Sequence, residues 1–416
     1  MEKVTHKTLA CGIELACAEI PDRRIAAIEF RLCSGIADEP PALLGLAHVV
    51  QETIDLGTAH YDGRGLSDAF DAIGASHTGW TARESTGYRC VVLPEFLDRA
   101  IELHTEYLCT PTFPDDSVEV AIELAQQEIT ALQDDPQGLC DKLFSAQVFG
   151  PLLGRHALGE PETLERITRD DVAAHWKNHY HTGRMIVTAA GGFDAKKLID
   201  LLEKRFAGFG SAAPAGRNGY RVAFEPRQTH HPKDLAQEHV AIAFPGVSVE
   251  DASFPVQRVL IAILSGGMSS RLFTEVREKQ GLVYWVAAWS ETPRGSGVLF
   301  LGASTTPERC DKTFDTLLRE VDRVSEDLTD DEVERSISGL VAKMRTQGDL
   351  TRSRCSELAD DLFHHRRPIP PEEKIARIEA VTTERIRQFL ADHPRDRLNV
   401  LTLGPRVLER AAAVGR

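Results

Sequence analysis

The chain opens on strand-like periodicity. "KTLACGIELACAEI" is broken at Gly12 and predicts a β-hairpin. "RIAAIEFRLCSG" reads as a third strand, closed by Gly35. After Pro40 and Pro41 the apolar period lengthens, and "ALLGLAHVVQETIDL" predicts a helix running to Gly57. A second short helix, "GLSDAFDAIGA", leads into "SHTGWTARESTGYRCVVLP", whose Thr, Tyr, Trp and Val predict one or two strands. From "EFLDRAIELHTEYLC" onward the pattern is helical, interrupted at Pro111 and Pro114 and resuming near Asp115 through "VEVAIELAQQEITALQDD".

"ITRDDVAAHWKNHYHTGRMIVTAAGG" predicts a helix and then a strand, and "DAKKLIDLLEKRF" another helix. "GFGSAAPAGRNG" is small, flexible and punctuated by proline, as an interdomain linker is. The second half then repeats the first. "LTDDEVERSISGLVAKM" echoes "FPDDSVEVAIELAQQEI", and "VTTERIRQFLADHPRDRLNVLTLGP" echoes the helix and strand before the linker. Two echoes in the same order predict a duplicated domain. The expected division is 1–210, a linker at 211–219, and 220–416. The fold class is α+β, each domain a mainly antiparallel sheet with helices on one side.

A chain of 416 residues exceeds the usual size of a single core, which agrees with two domains of about 200 residues each. Lys and Arg number 48 against 63 Asp and Glu, a net charge of −15. That balance argues against a general nucleic-acid binder or an anionic-membrane binder. The eight cysteines form no CxxC pair and mostly sit in apolar runs, so reduced, buried thiols and a cytoplasmic protein are expected. No signal peptide and no bilayer-spanning apolar run are visible.

On the predicted helix, His48, Gln51 and Glu52 share one face, because positions i, i+3 and i+4 do. Two ligands at i and i+4 with a carboxylate beside them are what a helical zinc hydrolase needs. Glu52 could serve as the second ligand, but Gln51 is an amide and cannot accept a proton near neutral pH. A His–Glu pair that merely stabilises one helix accounts for the same residues.

"GLAHVVQETIDLGT" resembles the metal helix of the pitrilysin/insulinase-like metallopeptidases, the inverted-motif zinc proteases that include the mitochondrial processing peptidases. That helix reads His-x-x-Glu-His and is followed by Gly-Thr; a third ligand, a glutamate, lies about 80 residues beyond the first histidine. The resemblance places the first ligand on His48, the Gly-Thr on Gly57 and Thr58, and the third ligand on Glu128. The catalytic glutamate position is Gln51 and the second histidine position Glu52. "ASHTGWTARESTGY" resembles the substrate-edge strand, with Thr78 and Gly79 where an Asn-Ala pair is usual and Trp80 next to them. "GGMSSRLFTEVREKQGLVYWV" carries the closest match and puts the substrate-binding Arg and Tyr on Arg277 and Tyr284. Gly266 and Gly267 read as a gate or tight turn, since no Gly-Lys-Ser/Thr follows for phosphate binding.

The resemblance therefore implies a degenerate metal site with no zinc, or zinc weakly bound or supplied by a partner. It implies a non-catalytic, peptide-binding subunit of a heterodimeric zinc peptidase, which lends Arg277 and Tyr284 to a homologous zinc-bearing partner. Extended or unfolded peptides are the expected ligands, and a homodimer is an option for the chain alone. Two other readings stay open. One is a self-sufficient metallopeptidase on His48, Glu52 and Glu128, with Glu123 or His77 recruited as base. The other is an inactive scaffold, in which Arg277 pairs with Glu275 or Glu278 and Tyr284 packs at a strand start.

Overall fold

The structure is a computed structural model that describes residues 2–210, 219–395 and 397–409. The expected linker, apart from Gly219, lies outside the described residues. In chain order the first elements are β1 (Lys3–Thr8), β2 (Glu14–Glu19), β3 (Ala26–Leu32), α1 (Leu46–Thr53), α2 (Gly63–Asp71), β4 (Ser76–Thr81) and β5 (Thr86–Val92). Then come α3 (Leu97–Cys109), α4 (Asp115–Ala131), α5 (Pro136–Leu153), α6 (Pro161–Leu164), α7 (Arg169–His179), β6 (Met185–Gly191) and α8 (Ala195–Arg205). The second half contributes β7 (Arg227–Pro232), β8 (Glu238–Gly246), α9 (Phe254–Ser265), a π-helix (Phe273–Lys279), β9 (Val283–Glu291) and β10 (Gly297–Thr305). It ends with α10 (Cys310–Asp327), α11 (Asp330–Gly348), α12 (Thr351–His365), α13 (Pro371–Glu379), α14 (Thr383–Asp392) and β11 (Asn399–Gly404).

These elements form two compact units, neither a continuous stretch of chain. The first takes described residues 2–131, 155–210 and 347–369, so it includes α12; the second takes 132–154, 219–346 and 370–409, so it includes α5.

In the first unit six strands run in the order β1-β2-β6-β3-β5-β4, antiparallel except where β2 lies beside β6. Alternate residues point to opposite faces of a strand. Leu15, Cys17, Ile28, Phe30, Cys90 and Val187 thus enter one core with Val49, Val50, Ile101 and Leu202 from α1, α3 and α8. Their neighbours Ala16, Ala18, Ala27 and Ala190 are small, and α12 closes on them with Cys355, Leu358 and Leu362. The expectation of helices on one side is therefore corrected: the sheet is covered on both faces, and every residue of "AAIEFRL" in β3 is buried.

That second face also buries charge. Glu29 is fully buried and accepts hydrogen bonds from Arg31 Nη2 at 2.7 Å, Arg89 Nε at 3.0 Å and Ser356 Oγ of α12 at 3.1 Å. Arg31 donates onward to Asp360 at 2.8 Å. Each polar group on β3 thereby finds a partner, as burial demands.

In the second unit five strands run in the order β7-β11-β8-β10-β9, antiparallel except where β7 lies beside β11. Val240, Ile242, Phe244 and Leu301 face a core with Val259, Ile263, Leu317 and Phe389 from α9, α10 and α14. On the opposite face α5 sets the rings of Phe144 and Phe149 against Phe300, at 5.7 and 5.9 Å between centroids. Its Gln147 side chain donates to the carbonyl of Val400 at 3.1 Å. Among the described residues no helix is long and apolar enough to cross a membrane.

Candidate functional site

Helix α1 is shorter than its apolar period predicts, and its start explains why. Gly45 adopts φ +97°, a left-handed conformation that favours glycine, and a Cβ there would stand 2.9 Å from the Leu158 carbonyl oxygen. No side chain at Gly45 can cap the helix, so a distant one does. Glu39 accepts from the N–H groups of Gly45 at 3.2 Å and Ala47 at 2.8 Å. Burial pushes the Glu39 carboxyl up to about 8, against the pull of those two N–H bonds. Sequence reasoning missed Glu39, because a cap six residues away leaves no local spacing signal.

The helix delivers His48 and Gln51 as half-buried side chains and Glu52 as an exposed one. Gln51 lies against strand β4, where a Cβ on Gly79 would stand 2.7 Å from Gln51 Nε2 and 3.2 Å from its Cδ. A side chain at position 79 would therefore make the Gln51 amide shift from where it lies. β4 is the outer strand of its sheet and pairs with β5 from Ser76↔Val91 to Thr81↔Thr86. By strand alternation Thr78 and Trp80 point to the other face. The Trp80 ring lies over Gly87 and holds the Arg89 guanidinium 4.7 Å from its centroid. Glu128 is an exposed residue of α4. Among the described residues no three His, Cys, Asp or Glu side chains are grouped to hold a metal ion.

Beside α1 the structure gathers groups that the sequence did not single out together. The His77 ring stacks on Phe70 at 4.2 Å, and Phe70 meets His104 edge-on at 5.1 Å. Asp55 sits where burial raises its carboxyl pKa, with His77 lowering it and Glu52 raising it further. His104 is fully buried and burial pushes it down to about 4; its Nδ1 bonds the Ala100 carbonyl at 2.7 Å. The i+3 spacing from Glu52 was the available signal for Asp55. Glu123 is exposed on α4.

In the second unit Arg277 and Tyr284 do come together. The Arg277 guanidinium carbon lies 5.1 Å from the Tyr284 ring centroid and 4.9 Å from that of Phe273. Two local irregularities produce this. Arg277 lies in a π-helical turn, a distortion frequent at functional sites. Tyr284 lies at a bulge, since Ser304 pairs with Trp285 while Thr305 pairs with Val283. A bulge re-aims a side chain, and Tyr284 is 78% exposed. Glu275 is held by Lys279 at 2.7 Å, and among the described residues Arg277 forms no ion pair with Glu275 or Glu278. A stacked guanidinium still has its N–H edges to donate, and the phenol adds one donor. Gly266 closes α9, and at Gly267 a Cβ would meet only open space.

Residues 15–160 match the insulinase family, peptidase family M16, and residues 166–340 match the peptidase M16 inactive domain. An uncharacterized zinc protease of Mycobacterium leprae is 30% identical over 74% of this chain and 70% of its own length. The chain belongs to peptidase family M16. A second uncharacterized zinc protease of that kind, from Streptomyces coelicolor, is 29% identical over 97% of this chain and 90% of its own. The M16 fold is shared with a solved peptidase M16 inactive domain from Pseudomonas fluorescens, with a TM-score of 0.89 and 18% identity over 99% of this chain and all of that one. A protease from Helicobacter pylori superposes equally well, with a TM-score of 0.89 and 15% identity over 97% and 100%.

M16 membership makes zinc the metal to test against these residues. His48 is one imidazole donor, and the carboxylates of Glu52 and Glu128 are exposed and not gathered with it. Gln51, in the base position, offers an amide turned against β4. This donor set does not fit a closed three-ligand zinc site with a carboxylate base. It is compatible with weak zinc binding or none.

Proposed function

We propose that this M16 chain is the non-catalytic, peptide-binding subunit of a heterodimeric zinc peptidase. The observation that supports it most is the contrast between its two motifs. The Arg277–Tyr284 pair is assembled and presented by a π-turn and a bulge, while the metal helix carries Gln51 where a base is required. A guanidinium and a phenol placed together can donate to the carbonyls of an extended peptide or to the oxyanion that forms on cleavage. The partner is a homologous subunit with an intact His-x-x-Glu-His helix, and that subunit supplies the zinc and the base.

The peptide is an extended or unfolded one. Strand β4, at the edge of its sheet, can accept it as an added strand through main-chain hydrogen bonds. A cytoplasmic location agrees with the thiols, all free, with Cys17, Cys33, Cys90, Cys140, Cys310 and Cys355 buried. The test is reconstitution. Neither this chain nor the zinc-bearing subunit should match the peptide cleavage of the mixture, and a mixture no faster than the zinc-bearing subunit alone refutes the assignment.

A further inference from the structure

The segment that joins β3 to α1, residues 33–45, supports two elements at once. Through Glu39 it caps α1, at the N–H groups of Gly45 and Ala47. Through its backbone it holds the turn between β4 and β5: Ile36 N–H donates to the Ala82 carbonyl at 3.1 Å and Ala37 N–H to that of Arg83 at 2.8 Å. Gly35 lies so close to that turn that a Cβ on it would stand 2.3 Å from the Ala82 carbonyl oxygen. The helix that carries Gln51 and the strand it lies against therefore share one support.

That support is itself held by a histidine. His179 is the last residue of α7 and is half-buried. Ser34 Oγ lies 2.9 Å from His179 Nδ1, and Arg184 Nη1 lies 3.2 Å from the same atom. A guanidinium nitrogen can only donate, so Nδ1 presents its lone pair there, and the Ser34 hydroxyl donates to it as well. Both contacts thus need an imidazole with no proton on Nδ1. Arg184 reaches on to Asp38 Oδ1 at 3.5 Å, and Asp38 Oδ2 accepts from Gly35 N–H at 3.0 Å. One lone pair therefore holds Ser34 directly and Asp38 through Arg184.

The neighbours of the ring favour its neutral form. His175 of the same helix stacks on it at 4.3 Å between centroids and is itself pushed down to about 3 by burial. Burial also lowers the pKa of His179; Asp38 opposes this, while Arg184 and His181 lower it further.

We infer that His179 is a pH-sensitive latch on the segment 33–45, closed while Nδ1 is bare and released when that atom gains a proton. The proton turns the acceptor into a donor that faces two donors, and it sets a positive charge beside the Arg184 guanidinium. Ser34 and Arg184 must then find other acceptors, and the segment loses this tie to α7. An imidazole freed of these contacts titrates near ~6.5, so below that value the open form binds a proton that the closed form does not. The latch holds fully above pH ~6.5 and weakens as pH falls. The inference concerns the support of α1 and β4 and does not depend on the peptide-binding reading.

Hydrogen exchange of the whole chain, read by mass spectrometry at pH 7.5 and pH 5.5, tests it, with labelling times scaled for the slower intrinsic exchange in acid. Opening of residues 33–47 and of the turn at 82–85 should rise by up to about tenfold at the lower pH, the gain in proton binding one unit below ~6.5. Strands β3 and β6 should show no such rise. His179→Asn sets an amide oxygen, an acceptor that does not titrate, in the place of Nδ1; protection at pH 7.5 should remain and the response to acid should vanish. His179→Ala removes the acceptor and should open the segment at both pH values. Glu39→Gln should leave the response to acid in place, which separates the latch from titration of the α1 cap. Equal opening at both pH values, opening spread over the whole unit, loss of the response in Glu39→Gln, or its persistence in His179→Asn overturns the latch. Wild-type protection in His179→Ala does so too.

Discussion

Replacing Arg277 with Ala, or Tyr284 with Phe, separates a substrate-contact role from a packing role. The folding cost follows from the contacts. Arg277 makes two ring contacts on a partly exposed surface, each worth about 0.5–1 kcal/mol. Tyr284→Phe removes only a hydroxyl from a side chain that is 78% exposed, so it opens no cavity. For a unit of this size about 1 kcal/mol shifts Tm by roughly 2–4 °C, so both variants should stay folded and still pair. The functional cost is larger. A hydrogen bond from a charged donor is worth about 1.5–3 kcal/mol. Losing it in the transition state lowers kcat/KM at least tenfold, which corresponds to about 1.4 kcal/mol. Arg277→Lys keeps the charge but loses the planar fork, and should fall between Ala and wild type. Each variant would be mixed with a zinc-bearing homologous subunit, with pairing followed by size-exclusion chromatography and cleavage by a quenched fluorescent peptide. Wild-type cleavage from the Ala and Phe variants, with pairing intact, would leave the pair as surface and packing residues and refute the reasoning.

The isolated chain should give no cleavage of unfolded peptides above a metal-free control when zinc is added, and turnover that disappears in His48→Ala would contradict this. Glu29→Gln removes the charge on which Arg31, Arg89 and Ser356 converge; breaking a buried pair of this kind costs about 3–5 kcal/mol, readable as a lower urea midpoint. Burial pushes His104 down to about 4 and His175 to about 3, whereas an unfolded imidazole titrates near ~6.5. Between those values the unfolded chain binds protons that the folded chain does not, so the contribution is complete above pH ~6.5 and is lost as pH falls. The slope is up to about 1.4 kcal/mol per pH unit for each histidine, and His104→Gln should remove its share of the difference between pH 6 and pH 5 in urea titrations.

Much of the fold was legible because its signals are local. Gly12 marks the first hairpin, and it adopts φ +102° between β1 and β2. Thr78 to Tyr88 resolve into two paired strands. The echo between α4 and α11 was visible as a shared Asp-Asp start and apolar period. What could not be read depends on distant partners. The placement of α12 rests on Glu29 meeting Ser356 and on Thr188 Oγ1 donating to the Cys355 carbonyl at 2.9 Å, contacts between residues far apart in sequence. Helix α1 lost its first turn to Gly45 and a cap from Glu39, neither of which disturbs the hydrophobic period. At the candidate site the residue types were legible, but their presentation was not. No pattern in "GLVYWV" announces that Tyr284 sits at a bulge, because a bulge is set by the register against β10.

The physical logic of the altered helix lies in the coupling of Gln51 to Gly79. An amide and a carboxylate have nearly the same shape, so Gln51 fits where the resemblance expects a glutamate. A carboxylate pressed against β4 without a metal would be a half-buried charge lacking a counter-ion, and such a group is costly unless paired. With Glu52 in place of a second imidazole, the metal that would pair it has one strong donor fewer. Glutamine removes that charge while keeping the contact with the strand. Gly79 in turn leaves room for the amide where it lies, since a Cβ there would require the Gln51 side chain to shift. Gln51, Glu52 and Gly79 are therefore consistent with one another: where a metal is held weakly or not at all, a neutral side chain and a bare strand position are a low-energy arrangement. The surroundings of Arg277 and Tyr284 are different. There the π-turn and the bulge hold two polar side chains out toward solvent, where they contribute little to folding. In the reading proposed above, that irregular backbone serves a contact made to another molecule.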